Sequence, residues 1–364
     1  MRILLTTESF TGGVRRHLTE LCGGLRRAGH EVILALSCER DTEAREALTP
    51  LLAQGIVCHE IPMRRAIAPA ADGRAYLAFR RLIRSLRPDL IHAHSSKAGF
   101  IARMAADAFH IPVVYTPHAF PFLMEAPAPL RGLYRYLEAR AARCTAAVIV
   151  LSEQEREAAR AIGYPEEKIR LIPNGIPTDH LPALTSPPVP LSRIGIFGRC
   201  CRQKGSDRLI PIIRRHLARG GAWRWEIFGS GPLEERLARI GGPVTCHGAY
   251  PPTETLRLMR QTDLILLPSR WEGCPYTILE AWAAGVPVVG SAIGGITDLI
   301  TDGETGLLVD GENPDAWLAA LARIADDPAL RLHLIENGRT RLLTRHTVER
   351  MVNGILEEYG AIVR

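Results

Sequence analysis

Short β-branched segments alternate with amphipathic helical segments along most of this 364-residue chain. Strand-like runs separated by helices of about 10–15 residues are typical of βαβ units in a parallel sheet. The strands are predicted at residues 2–6, 31–37, 89–93, 112–116, 147–151, 169–172, 193–197, 223–228, 243–246, 263–267, 286–290 and 306–309. The helices are predicted at residues 13–28, 43–53, 74–86, 97–109, 131–142, 153–161, 206–217, 232–239, 253–260, 275–284, 294–301 and 313–325, with a helical tail over 329–364.

A proline-rich stretch divides this alternation into two similar halves. Six prolines fall within residues 173–190, where neither a helical nor a strand period is visible. A chain of 364 residues also exceeds the usual size of a single core. The sequence therefore predicts an α/β protein whose two Rossmann-like domains, at 1–175 and 176–345, face a cleft and are joined by a proline-rich hinge. The tail over 346–364 is expected to pack back on the N-terminal domain.

Several protein classes are not expected from the composition. No uncharged apolar run reaches the roughly 18 residues that a membrane span needs, and the start, MRILLTTESFTGG, lacks the apolar region of a signal peptide. The eight cysteines contain no C-x-x-C pair, so metal-site spacing is absent and reduced thiols are expected. These features predict a cytoplasmic protein.

One segment carries most of the excess positive charge. Residues 64–87 contain seven arginines (64, 65, 74, 80, 81, 84 and 87) against the single acid Asp72. One interpretation is a helix at an anionic membrane surface, which would make the protein peripheral on the inner face of the plasma membrane. The other is a core-packed helix with an exposed basic face. Nucleic acid is not an expected partner, because no nucleic-acid-binding motif is present.

Ligands of parallel α/β sheets bind beyond the carboxyl ends of the strands, so the residues that follow each strand are the functional candidates. In the first half, Gly12 and Gly13 open a helix, where they form either an anion-binding turn or a plain tight turn. Ser95, Ser96 and Lys97 start another helix, as an N-cap or as a polar and cationic contribution to the site. His118 follows the fourth strand and is either a ligand contact or a structural histidine.

In the second half, Arg199 and Lys204 flank a turn that begins at Gly198. Two cations beside a helix N-terminus suit a diphosphate, and a surface basic loop is the alternative. The stretch CHGAY, residues 246–250, follows a further strand and is a candidate lining for a base pocket.

The stretch SRWEGCPYTILEAW, residues 269–282, places one acid in a glycine-proline turn and another in the helix that follows. Pro275 suits the first helical position, and Gly273 permits close approach of the backbone. One polar molecule across this helix start could reach both Glu272 and Glu280. A sugar nucleotide fits, because its diphosphate would meet the cations and amides and its hydroxyls would meet the carboxylates.

These motifs resemble those of glycosyltransferase family 4, the retaining enzymes of the GT-B fold. The residues that carry the resemblance are E-G-C-P-Y-T-I-L-E-A-W-A-A-G-V-P-V-V, G-R-C-C-R-Q-K-G, I-P-N-G-I-P, T-P-H-A-F, V-I-V-L-S-E and D-G-E-T-G-L-L-V, in family order over residues 1 to about 350. H-A-H-S-S-K-A-G also looks like members that build bacterial exopolysaccharide or lipopolysaccharide. Cys274 and the filling Cys200-Cys201-Arg202-Gln203 depart from the family pattern.

The resemblance implies that Arg199 and Lys204 neutralise the departing nucleoside diphosphate. Glu280 would hold the ribose, Glu272 the donor sugar, and His118 a sugar hydroxyl near the reacting centre. With the candidates named above, the predicted catalytic residues are His118, Arg199, Lys204 and Glu272; the donor-binding residues are Gly12, Gly13, Gly198, His247, Tyr250, Gly273, Cys274, Pro275, Tyr276 and Glu280; and the acceptor-binding residues are Ser95, Ser96 and Lys97.

The expected function is therefore retaining transfer of a hexose from a nucleotide diphosphate sugar, with UDP favoured, to a hydroxyl acceptor. The acceptor expected from the resemblance is a lipid-linked or cell-surface polysaccharide intermediate. No cofactor and no metal are expected, because the family uses protein cations and no D-x-D-type metal site is present. A natural-product glycosyltransferase acting on an aminocyclitol and a GT-B nucleotide-sugar epimerase are the alternatives.

Overall fold

A computed structural model describes residues 1–39, 44–64, 66–184 and 190–363. Three predicted features fall partly on other positions: Arg65 of the arginine segment, Glu43 at the start of a predicted helix, and residues 185–189 of the predicted hinge lie outside the described residues. The chain divides into two compact units. The N-terminal unit comprises residues 1–174 and 348–364, and the C-terminal unit comprises residues 175–347.

The N-terminal unit is built on a seven-stranded parallel sheet. Its strands are β1 (Arg2–Thr7), β2 (Glu31–Leu36), β3 (Val57–Glu60), β4 (Leu90–His94), β5 (Val113–Thr116), β6 (Ala147–Val150) and β7 (Ile169–Leu171), in the order β3-β2-β1-β4-β5-β6-β7. Strand β3 is missing from the sequence prediction. It is a four-residue edge strand without a continuous apolar run, so it carries little hydrophobic signal.

The C-terminal unit is built on a six-stranded parallel sheet. Its strands are β8 (Arg193–Phe197), β9 (Arg224–Phe228), β10 (Val244–Gly248), β11 (Leu264–Leu267), β12 (Val288–Ser291) and β13 (Leu307–Val309), in the order β10-β9-β8-β11-β12-β13. In both sheets the first strand is internal and the strand order reverses beside it, which is the doubly wound Rossmann arrangement. The predicted α/β fold class with two Rossmann-like sheets is therefore confirmed.

Helices connect the strands in both units. Those of the N-terminal unit are α1 (Gly12–Arg27), α2 (Thr49–Ala53), α3 (Pro69–Leu86), α4 (Ser96–Asp107), α5 (Ala128–Ala142), α6 (Glu153–Ala161) and α13 (Val348–Val363). Those of the C-terminal unit are α7 (Ser206–Ala218), α8 (Glu234–Ala238), α9 (Thr255–Met259), α10 (Tyr276–Ala284), α11 (Pro314–Asp326) and α12 (Pro328–Arg345). None of the described helices combines the length and apolar character needed to cross a bilayer.

The helix predicted at 294–301 is wrong, because this segment forms a series of turns. Gly295 has a φ of +80°, a left-handed conformation that interrupts a right-handed helix. A Cβ at this position would lie 2.3 Å from the carbonyl oxygen of Gly273, so the turn brings the backbone against the loop that precedes α10. The apolar spacing that suggested a helix instead buries Ile296, Leu299 and Ile300.

Helix α3 contains most of the arginine segment and packs on the core along one face. Ala75, Phe79 and Ile83 are buried on that face. The opposite face exposes Arg74, Leu77, Arg81 and Arg84, which recur at helical spacings of three and four residues. The apolar residues of α3 are therefore used largely in the core, and its exposed face is predominantly basic.

A buried ion pair fixes helix α4 in the N-terminal unit. Arg103 of α4 donates to Glu138 of α5 over 2.7 Å, and both side chains are almost completely buried. The Tyr115 hydroxyl of β5 donates to the other oxygen of Glu138 over 3.0 Å. Burial alone would lower the pKa of Arg103, but the Glu138 carboxylate together with Tyr164 and Tyr115 outweighs burial and raises that pKa. Helix α4, whose first turn holds Ser96 and Lys97, is thus locked to its neighbours.

Glu138→Ala should lower the free energy of unfolding by about 3–5 kcal/mol, because it leaves the buried Arg103 guanidinium without a counter-charge. Chemical denaturation followed by circular dichroism measures this loss. Glu235→Ala, which removes the exposed partner of Arg239, is the matched control and should have little effect. Equal losses in the two variants would contradict the importance given to the buried pair.

Candidate functional site

Two loops meet at the carboxyl edge of the C-terminal sheet. Residues 198–205 follow β8 and residues 268–275 follow β11, and these two strands are neighbours. The Arg270 amide donates to the Gln203 carbonyl over 2.8 Å, and the Arg270 guanidinium donates to the Arg202 carbonyl over 2.9 Å. The side-chain amide of Gln203 donates to the Trp271 carbonyl over 3.4 Å. These contacts connect the two loops into one surface.

Glycines allow the backbone segments at this edge of the sheet to approach one another closely. A Cβ on Gly205, whose φ is +68°, would lie 1.9 Å from the carbonyl oxygen of Pro268. A Cβ on Gly229 would lie 2.1 Å from the carbonyl oxygen of Gly198. Both distances are far below any van der Waals contact, so a side chain at either position would force the backbone apart. These approaches keep the loop that follows β8 tight against its neighbours.

The predicted catalytic residues Lys204 and Glu272 form an ion pair in this surface. The Lys204 Nζ lies 2.6 Å from Glu272 Oε1, with the two side chains 21% and 7% exposed. The Ser269 hydroxyl donates to the same oxygen over 2.7 Å. Arg199 is exposed and donates to Gln203 over 3.2 Å. Lys204 is therefore held in place by a carboxylate, while Arg199 presents its charge to solvent.

Helix α10 begins beside this pair. Pro275 is the N-cap rather than the first helical residue that the sequence suggested, and its carbonyl accepts from the Ile278 amide over 3.2 Å. Cys274, Pro275 and Tyr276 are buried, whereas Glu280 is half-buried one turn further on. The predicted donor-binding stretch 273–276 thus directly follows Glu272 in the chain, and Glu280 lies on the helix that this stretch begins.

An aromatic group lies at the ends of β8, β9 and β10. The Tyr250 ring meets the rings of Phe197 and Phe228 edge-on, with centroids 5.8 and 6.2 Å away. Burial, together with the Glu280 carboxylate, raises the pKa of Tyr250, which places these two predicted donor-binding residues in one electrostatic neighbourhood. His247 stacks on Phe228 with centroids 4.3 Å apart and pairs with Glu226 over 2.7 Å.

In the N-terminal unit, the predicted residues also lie at the carboxyl edge of the sheet. Gly12 starts α1 with a φ of +53°, and a Cβ there would meet no described atom within 4 Å. Gly13 is the next helical residue. Ser95 is the N-cap of α4 with a φ of +65°, but its hydroxyl caps no amide in the described part of that helix. Glu8 accepts instead from the Ala98 amide over 3.1 Å.

Lys97 does not present a free cation. Its Nζ lies 2.6 Å from Asp72 of α3, and it also donates to the Ala66 carbonyl. The side chain is only 12% exposed. Lys97 thus connects α4 to the arginine-bearing helix, and its role as an acceptor contact stays a prediction, as does that of Ser96 at the start of α4.

His118 lies in a group of histidines that the sequence analysis did not find. Its Nε2 is 3.0 Å from Nδ1 of His94, and its ring centroid is 4.8 Å from that of His17. His118 and Ala119 both have positive φ, of +53° and +78°. Burial holds the pKa of His118 well below its usual value, so the ring is neutral near pH 7. The alternation His-Ala-His at the end of β4 was the available signal, because residues two apart share a face of a strand.

Ser269, Gly229, Gly231 and Gly295 were likewise absent from the predicted site. Ser269 bonds Glu272, and a Cβ on Gly231 would lie 2.6 Å from the Cys200 carbonyl oxygen. The position of Gly229 and Gly231 just after a predicted strand was the signal that could have identified them. Nothing in the local sequence distinguishes Ser269 from an ordinary loop serine.

The sequence profiles of two glycosyltransferase domains match the two halves of the chain. Glycosyltransferase Family 4 matches residues 11–180, and Glycosyl transferases group 1 matches residues 192–327. The chain belongs to glycosyltransferase family 4. Its two parallel sheets with connecting helices are those of the GT-B fold.

Relatives with assigned names agree with this family. The chain is 26% identical over 343 residues to the UDP-Gal:alpha-D-GlcNAc-diphosphoundecaprenol alpha-1,3-galactosyltransferase of Escherichia coli, covering 86% of each protein. Sucrose-phosphate synthase from Thermosynechococcus elongatus has a similar structure, with a TM-score of 0.82, 21% identity, and coverage of 100% of this chain and 99% of that one. HepE from Anabaena in complex with UDP-glucose also gives a TM-score of 0.82, at 20% identity, covering 99% of this chain and 100% of that one.

Gly205→Ala should destabilise the C-terminal unit and weaken nucleotide-sugar binding, because the new Cβ would overlap the Pro268 carbonyl oxygen and separate the two loops. Gly220→Ala is the matched control. Gly220 has a similar φ of +73°, but a Cβ there meets no described atom within 4 Å. Both variants carry the cost of a left-handed alanine, about 1–2 kcal/mol. Thermal unfolding and UDP calorimetry should separate them; equal effects would contradict the close approach.

Proposed function

We propose that this glycosyltransferase moves a hexose from a UDP-sugar to a hydroxyl of a lipid-linked or cell-surface polysaccharide intermediate, with retention of anomeric configuration. The observation that carries the proposal is the joined surface of residues 198–205 and 268–276. It combines an exposed guanidinium, an ammonium held by a carboxylate, a helix start and a second acid on one edge of a sheet. A nucleotide diphosphate sugar carries the complementary groups, because its diphosphate suits the cations and amides and its sugar hydroxyls suit the carboxylates.

The diphosphate is proposed to bind at Arg199, Lys204 and the amides that begin α10. As the bond to the anomeric carbon breaks, negative charge grows on the departing diphosphate. Cations that are already positioned stabilise this charge without reorganising, which is the main source of rate acceleration in such sites. Lys204 is positioned by Glu272 before any ligand arrives. Protein cations would thus do the work of a metal ion at the donor site.

Glu280 and Glu272 are proposed to hold the two sugars of the donor. Glu280 lies in the electrostatic neighbourhood of Tyr250 and would accept from the ribose hydroxyls, with the aromatic group of Tyr250, Phe197 and Phe228 beside the base. Glu272 would accept from the hexose. One of its oxygens already accepts from Lys204 and Ser269, so the carboxylate is oriented for this contact.

His118 is proposed to contact the hexose rather than to act as a base. Its Nε2 faces His94, so its Nδ1 is the nitrogen proposed to donate to or accept from a hydroxyl, according to the tautomer of the neutral ring. The acceptor would attack from the leaving-group face and pass its proton to the departing phosphate, which gives retention without a dedicated protein base. Ser95, Ser96 and Lys97 remain the proposed acceptor contacts.

The preference for UDP and for a polysaccharide intermediate is supported by the Escherichia coli relative, whose name specifies UDP-Gal and a diphosphoundecaprenol acceptor. HepE, whose complex contains UDP-glucose, shares the fold. A natural-product enzyme acting on an aminocyclitol would use the same donor surface with a different N-terminal pocket. An epimerase would release a free epimerised sugar from the donor alone.

A panel of UDP-, GDP- and ADP-sugars should reveal slow hydrolysis of UDP-sugars by the protein alone, unaffected by EDTA. Transfer to an undecaprenyl-diphosphate-linked sugar, with an α product from an α donor by NMR, would complete the test. Strict dependence on Mn²⁺, or an inverted product, would contradict the proposal. Release of a free epimerised sugar without acceptor would favour the epimerase.

Lys204→Ala should reduce turnover by about 10²- to 10³-fold, because one preorganised charge at the diphosphate is lost. Glu280→Ala should instead weaken UDP binding by about 1.5–3 kcal/mol, because its carboxylate no longer accepts from the ribose. Steady-state kinetics and UDP calorimetry measure the two effects separately. Glu336→Ala, an exposed acid of α12, is the control. Near-normal values in both site variants would refute the site.

We also propose that the protein attaches peripherally to an anionic membrane. The exposed face of α3 supports this proposal. Its basic residues Arg74, Arg81 and Arg84 could each contribute about 1 kcal/mol at an anionic surface. Because the apolar face of this helix is largely packed in the core, attachment would be electrostatic and would weaken with added salt.

Vesicles containing anionic lipid should sediment the protein at low salt, and less so at high salt. Neutralising Arg74, Arg81 and Arg84 together to Gln should abolish this binding. Neutralising the exposed Arg236, Arg239 and Arg257 of the C-terminal unit changes the net charge equally and is the control. Absence of sedimentation at low salt, or equal loss in the control, would remove the membrane from the proposal.

A further inference from the structure

Four histidines meet inside the N-terminal unit, and they come from α1, β4 and the turn after β5. The rings of His92 and His94 have centroids 4.0 Å apart and are tilted by 37°, and His17 and His118 lie against His94. The nitrogens of His92 are both used, one with the Tyr359 hydroxyl at 2.5 Å and one with Thr116 at 2.8 Å. The other three rings each offer a nitrogen, and these nitrogens lie within 4.8 Å of one another.

Two of these rings carry a buried nitrogen with no described partner. They are His17 Nε2 and His94 Nε2, in side chains that are completely buried. The Nδ1 of His17 lies 3.0 Å from Oδ1 of Asn174. Since an amide oxygen can only accept, Nδ1 carries the proton and Nε2 carries the lone pair. A buried lone pair without a donor is costly, and a bound cation would satisfy it.

We propose that His17, His94 and His118 form a site for one divalent transition-metal ion, with Zn²⁺ the preferred occupant. Neutral imidazole is a favoured ligand of Zn²⁺, which is bound at about 2.0–2.1 Å and tetrahedrally, so that ligand nitrogens lie about 3.3 Å apart. The Nδ1 of His94 and the Nε2 of His118 are already 3.0 Å apart, so these two atoms and the unpartnered Nε2 of His17 are the proposed ligands, and the Nε2 of His94 keeps its proton. The candidate ligand atoms of all three rings lie within 4.8 Å of one another. The bond of His17 to Asn174 is the kind of outer contact that orients metal-binding histidines.

The surroundings favour the neutral, ligating form of these rings. Burial lowers the pKa of His17 to about 4 and holds the pKa values of His94 and His118 well below their usual range. Protons therefore do not compete with a metal near pH 7. His118 is only partly buried, so the group is in contact with solvent at that residue.

A metal on His118 would remove that ring from the sugar contact proposed above. Zn²⁺ at this site is therefore an inhibitor of transfer, reversed by a chelator, and this consequence rests on the proposed function. Binding itself does not. A protein that binds the metal but lacks transferase activity would sustain the site and refute the function, whereas an active protein without binding would do the reverse.

Titration of the full-length, tag-free protein with Co²⁺, as a coloured substitute for Zn²⁺, should give one saturable equivalent of visible absorption that Zn²⁺ displaces. His17→Gln should abolish the signal, and His180→Gln, an exposed histidine of the C-terminal unit, should leave it unchanged. Circular dichroism establishes that each variant is folded.

Two substitutions of Asn174 provide a second test. If Asn174 orients a metal-binding His17, one substitution should weaken Co²⁺ binding and the other should strengthen it, whereas a purely structural Asn174 would not give opposite effects. Asn174→Leu should weaken Co²⁺ binding by about 10- to 100-fold, because the outer partner of His17 is lost, whereas Asn174→Asp should tighten it by making the ligand more basic. No saturable absorption in the wild type, a signal retained in His17→Gln, or Co²⁺ affinities unaltered in both Asn174 variants would overturn the proposal.

Discussion

Parallel pairing of the described strands is the constraint on which the rest of the structure depends. Each strand must be reached by a crossover, and the connecting helices cover both faces of each sheet. Backbone groups that are free to meet a ligand are then confined to the ends of the strands. In the C-terminal unit, β8 and β11 are neighbours although three helices and two strands separate them in sequence. Residues 198–205 and 268–275 consequently start side by side.

Once the two loops are adjacent, charge pairing determines how they can act. Lys204 is held by Glu272, and Glu272 is oriented by Ser269. A flexible lysine would lose side-chain freedom when it binds a phosphate, whereas a lysine already fixed by a carboxylate has lost it during folding. The same carboxylate limits the net positive charge of the two loops. In the proposed site, affinity for a diphosphate would then come mainly from Arg199 and from the helix start.

Much of the fold could be predicted from the sequence, because the apolar runs of buried parallel strands and the amphipathic periods between them are local signals. Strand β3 was not predicted, because an edge strand of four residues has neither an apolar run nor an amphipathic period. The helix predicted at 294–301 was wrong because Gly295 has a left-handed φ where its backbone lies against Gly273, and this contact between distant segments is not a local signal. Motif residues such as Lys204 and Glu272 could be placed at strand ends, but their pairing with each other could not. The histidine group depends on packing between α1, β4 and the turn after β5, which no local pattern encodes.

Helix α13 belongs to the N-terminal unit, where Val352 packs against Gly24 of α1 and Tyr359 bonds the buried ring of His92. The ribosome therefore releases the residues that complete the first-made unit only after the whole C-terminal unit has been synthesised. Until then, the face of α1 that α13 covers is open and His92 lacks one of its partners. The C-terminal unit is contiguous and can finish folding first, so the order of completion along this chain is the reverse of the order of synthesis.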